Sequence, residues 1–218
     1  MYGNDKYVTP ILVNGIGDID KSLKILDKTC DILNMAGVKN NNPILFSPVD
    51  FEHYRIQHVK INYLTYAEYN NFIINLGMLW KDDSHALICQ NDGYPIHSEN
   101  WTNEFLNYDY IGSPWGTDRP NHKRVGNGGF SLRSAKLLNT VSKLINNPNG
   151  FSEDLVICDI SGDTLQEQYN IKFAPIKLAM KFSFEHYIPE RNNMQLNECF
   201  GFHDFKCGPK EDKEKYRI

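Results

Sequence analysis

Short apolar runs alternate with amphipathic stretches through the first ninety residues. Tyr7 to Val13 reads as a strand, broken by Gly15-Ile16-Gly17. Leu23, Leu26, Cys30 and Leu33 then recur on one helical face. Asp18 or Asp20 is expected to cap that helix. Gly37 is its natural stop, because glycine tolerates the left-handed conformation past a helix end. Pro43 to Ser47 and Arg55 to Ile61 predict a second and a third strand. Thr65-Tyr66-Ala67-Glu68 has the form of a capping box, opening a helix that runs to about Gly77. Ala86-Leu87-Ile88-Cys89 is a short apolar run of the kind buried in a parallel sheet.

The second half is less regular. Tyr108 to Gly112 and Gly129 to Leu132 predict two more strands. Ser134 is placed to cap a helix carrying Leu137, Leu138, Val141, Leu144 and Ile145 on one face, ended by Asn146-Asn147-Pro148-Asn149-Gly150. Ser152 is placed to cap another, with Glu153 and Asp154 in its first turn. Lys172 to Ala174 reads as a late edge strand. Strand–helix alternation predicts an α/β fold, an open, mostly parallel twisted sheet flanked by helices, in a single domain over residues 1–207. Residues 208–218 form a charged, apolar-poor C-terminal tail, expected to be mobile.

Composition narrows the function classes. At 218 residues the chain is long enough for a sizeable core. Its net charge of −4, with no basic block before the tail, argues against nucleic acid as a partner, since phosphate contacts need clustered Lys and Arg. The five cysteines are odd in number and form no Cys-x-x-Cys pair, which fits reduced thiols in a cytoplasm-like compartment. The N-terminus carries no apolar signal core, and no run approaches the roughly 20 apolar residues that span a bilayer.

Candidate chemistry lies in three places. Cys89-Gln90-Asn91-Asp92-Gly93 closes a strand with a lone carboxylate. Ligands of open α/β sheets bind beyond the carboxyl ends of the strands, where such a group can hold a divalent cation bridging a diphosphate. Asn-Asp-Gly is also a favoured turn, and on this run alone the turn is the better reading. Gly126-Asn127-Gly128-Gly129 lets backbone approach a ligand, or is a plain loop, and Arg133 beyond it could neutralise a diphosphate or be a surface charge. Glu153-Asp154 fits the first turn of a helix as dipole-favoured acids, and equally fits a general base. His203, between aromatics, could close a metal site or simply pack. Trp115, on the turn after Pro114, is placed to stack on a sugar or base; Trp101 fits a stacking ring and a lid over the core equally, and Trp80 fits a lid better. No Gly-x-Ser-x-Gly, His-Glu-x-x-His or Cys–His nucleophile pattern occurs.

Taken in order, Leu87 to Gly93, Glu104 to Trp115 with its Tyr-Asp-Tyr-Ile-Gly-Ser-Pro-Trp run, Val125 to Ser134, Glu153-Asp154 and Phe200-Gly201-Phe202-His203 resemble a glycosyltransferase-like family with the GT-A fold, catalogued as a domain of unknown function. Phe173-Ala174-Pro175 and Phe182-Ser183-Phe184-Glu185 look like further family features, and the likeness spans about residues 60 to 205. It implies a nucleoside diphosphate sugar donor, a UDP-sugar foremost, a glycan or other hydroxyl acceptor, and Mn²⁺ or Mg²⁺. By that resemblance Asp92 and His203 are the metal ligands, and Asp154, or Glu153, the catalytic base of an inverting transfer. Asn91, Asn127, Gly128, Gly129, Trp115 and Arg133 are the candidate donor and acceptor contacts. The chain departs from the acidic Asp-x-Asp pattern of the wider group, reading Gln90-Asn91-Asp92. That departure motivates a second reading, a nucleotide-sugar or glycan binding module without catalysis. A nucleotidyltransferase ranks last, because Gly15-Ile16-Gly17 is short and lacks a nearby Arg pair.

Overall fold

A computed structural model describes residues 6–80, 84–192, 194–204, 215, 216 and 218. Along them run β1 (Val8–Val13), α1 (Asp20–Met35), β2 (Ile44–Ser47), β3 (Gln57–Lys60), α2 (Tyr66–Ile74), β4 (His85–Cys89), β5 (Gly93–Pro95), β6 (Tyr110–Ile111), β7 (Ser131–Arg133), α3 (Ala135–Leu144), α4 (Gly162–Tyr169), α5 (Ile176–Phe182), β8 (Ser183–Phe184) and β9 (Gly201–His203).

The main sheet has the order β3-β2-β1-β4-β7-β6. Strands β1 to β4 run parallel, and β7 lies antiparallel to both β4 and β6. The fold is therefore α/β, an open and mostly parallel sheet flanked by helices, in one domain. The apolar runs form strands because both faces of β1 and β4 are covered. Val8, Leu12, Leu87 and Cys89 face α1 residues such as Ile25 and Leu33, while Ile11, Val13, Ala86 and Ile88 pack with Ile73 of α2 and Leu138 of α3. Each such Leu or Ile side chain contributes roughly 1.5–3 kcal/mol on burial.

A smaller sheet, β5-β9-β8, packs on the α1 side. Its β5–β9 pairing sets Gly93 opposite His203, so a residue near the end of the domain arrives beside the turn after β4. A cluster of Phe105, Phe130, Phe182 and Phe200 fills the space between the sheets, with Phe130 and Phe182 stacked at 4.9 Å. Trp101 joins its edge, and Trp80 is buried with its indole N–H donated to the Ser84 carbonyl. Both are structural.

Several local expectations hold. Gly37 sits past α1 at φ +69°. The Thr65–Glu68 capping box is complete, and the Ser134 hydroxyl caps α3 by accepting from the Leu137 N–H. Phe173 bridges Tyr110 as a minimal parallel edge.

Others need correction. Neither Asp18 nor Asp20 caps α1; the cap position is Ile19, without a side-chain bond. The turn is held instead by Asn14, whose Oδ1 accepts from the N–H groups of Ile16 and Gly17. The segment opening at Glu153 becomes a π-helix over Leu155–Ile160, and the Ser152 hydroxyl bonds the Tyr66 hydroxyl rather than capping it. Most of the 208–218 tail lies outside the described residues. Tyr216, however, is buried, and its carbonyl accepts from the Tyr94 hydroxyl at 2.6 Å, so that part of the tail is anchored. Among the described residues no helix is long and apolar enough to cross a membrane, and Cys30, Cys89, Cys158 and Cys199 are buried free thiols.

Candidate active site

The strand order reverses between β1 and β4, and ligands of open α/β sheets sit beyond the carboxyl ends of strands at such a point. A cleft of about 400 Å³ opens there. Its walls come from Asn14, Gly15 and Ile16 after β1, from Leu64 to Tyr66 and Tyr69 at the start of α2, and from Gln90, Asn91 and Asp92 after β4. Among these described lining residues Asp92 alone carries a charge. A short polar chain ties the two strand ends together: Asn14 Nδ2 donates to Ser22 Oγ at 3.0 Å, and the Ser22 hydroxyl donates to Asn91 Oδ1 at 2.9 Å. Asn91 thus braces the cleft floor through its oxygen.

Asp92 stands on a tight turn, as Gln90 and Gly93 exchange backbone hydrogen bonds of 2.8 and 3.1 Å around it. Its side chain is 62% exposed, and His203 Nε2 lies 3.7 Å from its Oδ1. The turn thus leaves the carboxylate open to solvent beside His203. On its other nitrogen, Nδ1, His203 meets Glu185 Oε1 at 3.3 Å, while Nε2 also lies 3.2 Å from Gln90 Oε1. Burial alone would lower the His203 pKa. The hydrogen bond and charge of Glu185, with Asp92 and Asp204, outweigh it and hold the pKa above the ordinary value.

The donor set suits a divalent cation. A carboxylate, an imidazole oriented from behind by a second carboxylate, and a neighbouring amide oxygen make a mixed oxygen–nitrogen set that could hold one. No group of three or more His, Cys, Asp or Glu placed to hold a metal occurs among the described residues. A cation here would complete its shell with oxygens from a bound ligand.

One four-residue segment joins the remaining candidates. Residues Gly126 to Gly129 run into β7 beside the end of β4. The Trp115 ring lies so close over Gly126 that a Cβ there would be 2.1 Å from it, and the Arg119 guanidinium sits 4.6 Å above the ring. Asn127 takes φ +64°, a conformation Asn tolerates, and its Oδ1 accepts from the Gly129 N–H at 3.1 Å. The Gly128 N–H donates to Asp154 Oδ2 at 3.1 Å, and the Leu155 N–H donates to Oδ1 at 2.8 Å. A Cβ on Gly129 would fall 2.0 Å from His203 Nε2. The glycines thus let the Trp115 indole, the buried Glu153 carboxylate and the His203 imidazole approach one backbone stretch from different sides.

Two expected residues are elsewhere engaged. Arg133 is wholly buried and donates to Glu153 Oε1 at 2.9 Å, so its guanidinium is no counter-ion for a diphosphate in the cleft. Glu153 is 3% exposed, and burial, only partly offset by Arg133, raises its pKa. Its carboxylate faces inward, which leaves Asp154 as the acid of the pair with access to solvent. Residues missed in the sequence are Asn14, Ser22, Tyr69, Gln90 and Glu185. Nothing local to Phe182-Ser183-Phe184-Glu185 marks Glu185 as a partner of His203, and Gln90 is a neutral side chain beside an acid; the Gln90 Nε2 donates to the Tyr69 hydroxyl at 2.5 Å.

With this geometry in place, residues 53–203 match the family described as a protein of unknown function, DUF5672, and the chain belongs to that family. No curated protein matches the chain. Among solved structures it is similar to a glycosyltransferase involved in the glycosylation of the major capsid of PBCV-1, at 10% identity and TM-score 0.44, over 96% of this chain and 98% of that one. It is also similar to the galactosyltransferase LgtC in complex with donor and acceptor sugar analogues, at 11% identity and TM-score 0.46, over 92% and 87%. A197 from STIV aligns at 12% identity and TM-score 0.37, over 77% and 80%.

Proposed function

We propose that the chain is a GT-A-like glycosyltransferase that moves a sugar from a nucleoside diphosphate donor, a UDP-sugar foremost, to a hydroxyl acceptor, in a cytoplasmic setting. The observation that carries this reading is the convergence of Asp92 and His203 at the rim of the cleft, with Asp154 two residues of shared backbone away through Gly128 and Gly129. Nucleotide and pyrophosphate would lie in the cleft beyond β1 and β4, against Asn14, Asn91 and the Gly15–Ile16 backbone.

Asp92 and His203 would hold Mn²⁺ or Mg²⁺, with Gln90 beside them. The cation would supply charge neutralisation for the departing diphosphate. Asp154, oriented by the Gly128 and Leu155 N–H groups, would take the proton from the attacking hydroxyl as it meets the anomeric carbon, which favours inversion. The acceptor would approach from the side of Trp115 and Asp154.

A thermal-shift series of nucleoside diphosphates with and without Mn²⁺ tests the reading. A diphosphate at about 100 times its dissociation constant adds about 2.7 kcal/mol. That is roughly 5–10 °C in Tm for a chain of this size. The shift is expected with Mn²⁺ and not in EDTA, and no shift with any diphosphate would refute the proposal. Slow donor hydrolysis separates an enzyme from a binding module, which would give none.

A further inference from the structure

Beneath Gly128 lies a buried polar arrangement to which the proposed transfer assigns no part. The Arg133 guanidinium reaches two partners at once: Nε donates to Ser131 Oγ at 3.0 Å and Nη2 to Glu153 Oε1 at 2.9 Å. The Ser131 hydroxyl donates onward to the Gly128 carbonyl at 3.2 Å. Glu153 Oε1 occupies the space below Gly128, where a Cβ would lie 1.6 Å from it. The Glu153 N–H donates to Asn70 Oδ1 on α2 at 3.1 Å, and the guanidinium rests 5.1 Å from the Tyr110 ring centre.

Gly128 is thus gripped on three sides. Its carbonyl is held through Ser131, its Cα rests on Glu153, and its N–H is donated to Asp154. Glu153 and Asp154 are consecutive, so fixing the first fixes the backbone that presents the second. A buried ion pair adds little net stability over apolar packing of the same shape. What the planar two-pronged guanidinium does supply is direction, because both bonds form together only in one orientation.

Resting on the transferase reading, we propose that Arg133 and Glu153 are positioning residues, which hold Gly128 and Asp154 in register so that the Asp154 carboxylate faces the acceptor hydroxyl. The pair touches neither donor nor acceptor. Its effect is on orientation, and so on turnover rather than donor affinity.

The test is the paired replacement Arg133→Met with Glu153→Leu, which removes both charges and leaves neither unpaired. Exchange of the Gly128 amide is read by NMR in the protein without substrate, and kcat and donor affinity are read separately. The expected result is a folded variant in which Gly128 exchanges at least ~10-fold faster, kcat falls at least ~10-fold, and donor dissociation stays within ~2-fold. Unchanged Gly128 exchange in the folded variant overturns the proposal, and so does faster exchange with unchanged kcat. If the native chain transfers nothing, the transferase reading falls, while the exchange measurement still decides whether the pair orders Gly128. Should the paired variant not fold, Arg133→Lys keeps the charge and loses the two-pronged reach; accelerated Gly128 exchange supports the proposal there, and native exchange overturns it.

Discussion

Gly129→Ala isolates the contact on which the metal reading depends. The new methyl would lie 2.0 Å from His203 Nε2, 2.3 Å from Cδ2 and 2.6 Å from Cε1. Ordinary contact begins near 3.4 Å, so the imidazole must retreat by at least ~1.4 Å. Its bonds to Glu185 and Gln90 are 3.3 and 3.2 Å long and do not survive that retreat. Overpacking a tight site costs about 1–3 kcal/mol, and each lost hydrogen bond about 0.5–1.5 kcal/mol. The expected total is about 2–4 kcal/mol, or roughly 5–15 °C in Tm for a chain of this length. Mn²⁺ affinity is expected to fall about 10–100-fold, as it does when a ligating imidazole loses its orienting partner. Gly37→Ala is the control: it carries φ +69° with nothing within 4 Å, so backbone strain of about 1 kcal/mol is its only cost and Mn²⁺ binding stays native. Differential scanning calorimetry and Mn²⁺ titration calorimetry on both variants provide the readings. A Gly129→Ala protein that melts and binds Mn²⁺ like the native chain refutes both the close packing and the place of His203 in the site.

Asp154→Asn is expected to lower transfer by about 10²–10⁴-fold while donor binding persists, since the amide keeps the shape and loses the base; near-native turnover in a steady-state assay removes Asp154 from that role. His85, at the start of β4, gives a prediction independent of function. Burial, and after it the charge of Lys6, lowers its pKa to about 4. An unfolded chain would take up that proton near pH 6.5 and the folded one would not, so stability falls as pH drops from about 6.5 to 4, by about 3 kcal/mol at the lower end. In His85→Leu that part of the pH dependence disappears. Urea midpoints at pH 7, 5.5 and 4 that run parallel for the two proteins contradict this account.

The parallel half of the fold was readable because its strands are buried on both faces. Ile11–Val13 and Ala86–Cys89 can be apolar without interruption only where both faces are covered, and the Thr65 box and Gly37 stop follow from local backbone chemistry. The small sheet was not readable. Its β5–β9 pairing joins Gly93 to His203 across more than a hundred positions, and three-residue strands have no period to detect. The same distance problem hid the Arg133–Glu153 pair. Each charge alone fits a surface, and only tertiary pairing makes their burial affordable. Glu153 and Asp154 are neighbours with indistinguishable sequence roles, yet the backbone turns one inward and the other toward solvent.

That pairing changes the electrostatics expected of the site. The sequence offered Arg133 as a counter-charge for a pyrophosphate, but the guanidinium is enclosed with Glu153, and the cleft beyond β1 and β4 is lined by neutral groups apart from Asp92. On the transferase reading a diphosphate arriving there would add negative charge beside an exposed carboxylate, a repulsion of about 1 kcal/mol per close charge pair once solvent screens it. On the same reading Asp92 and His203 would hold a divalent cation, which would supply the opposing positive charge. On that reading, the single acid of Gln90-Asn91-Asp92 would make a metal bind weakly alone and tightly with the nucleotide, because the ligand would supply the oxygens the protein lacks. Mn²⁺ and diphosphate titrated together should show strong mutual enhancement, and independent binding of the two would be inconsistent with a shared site.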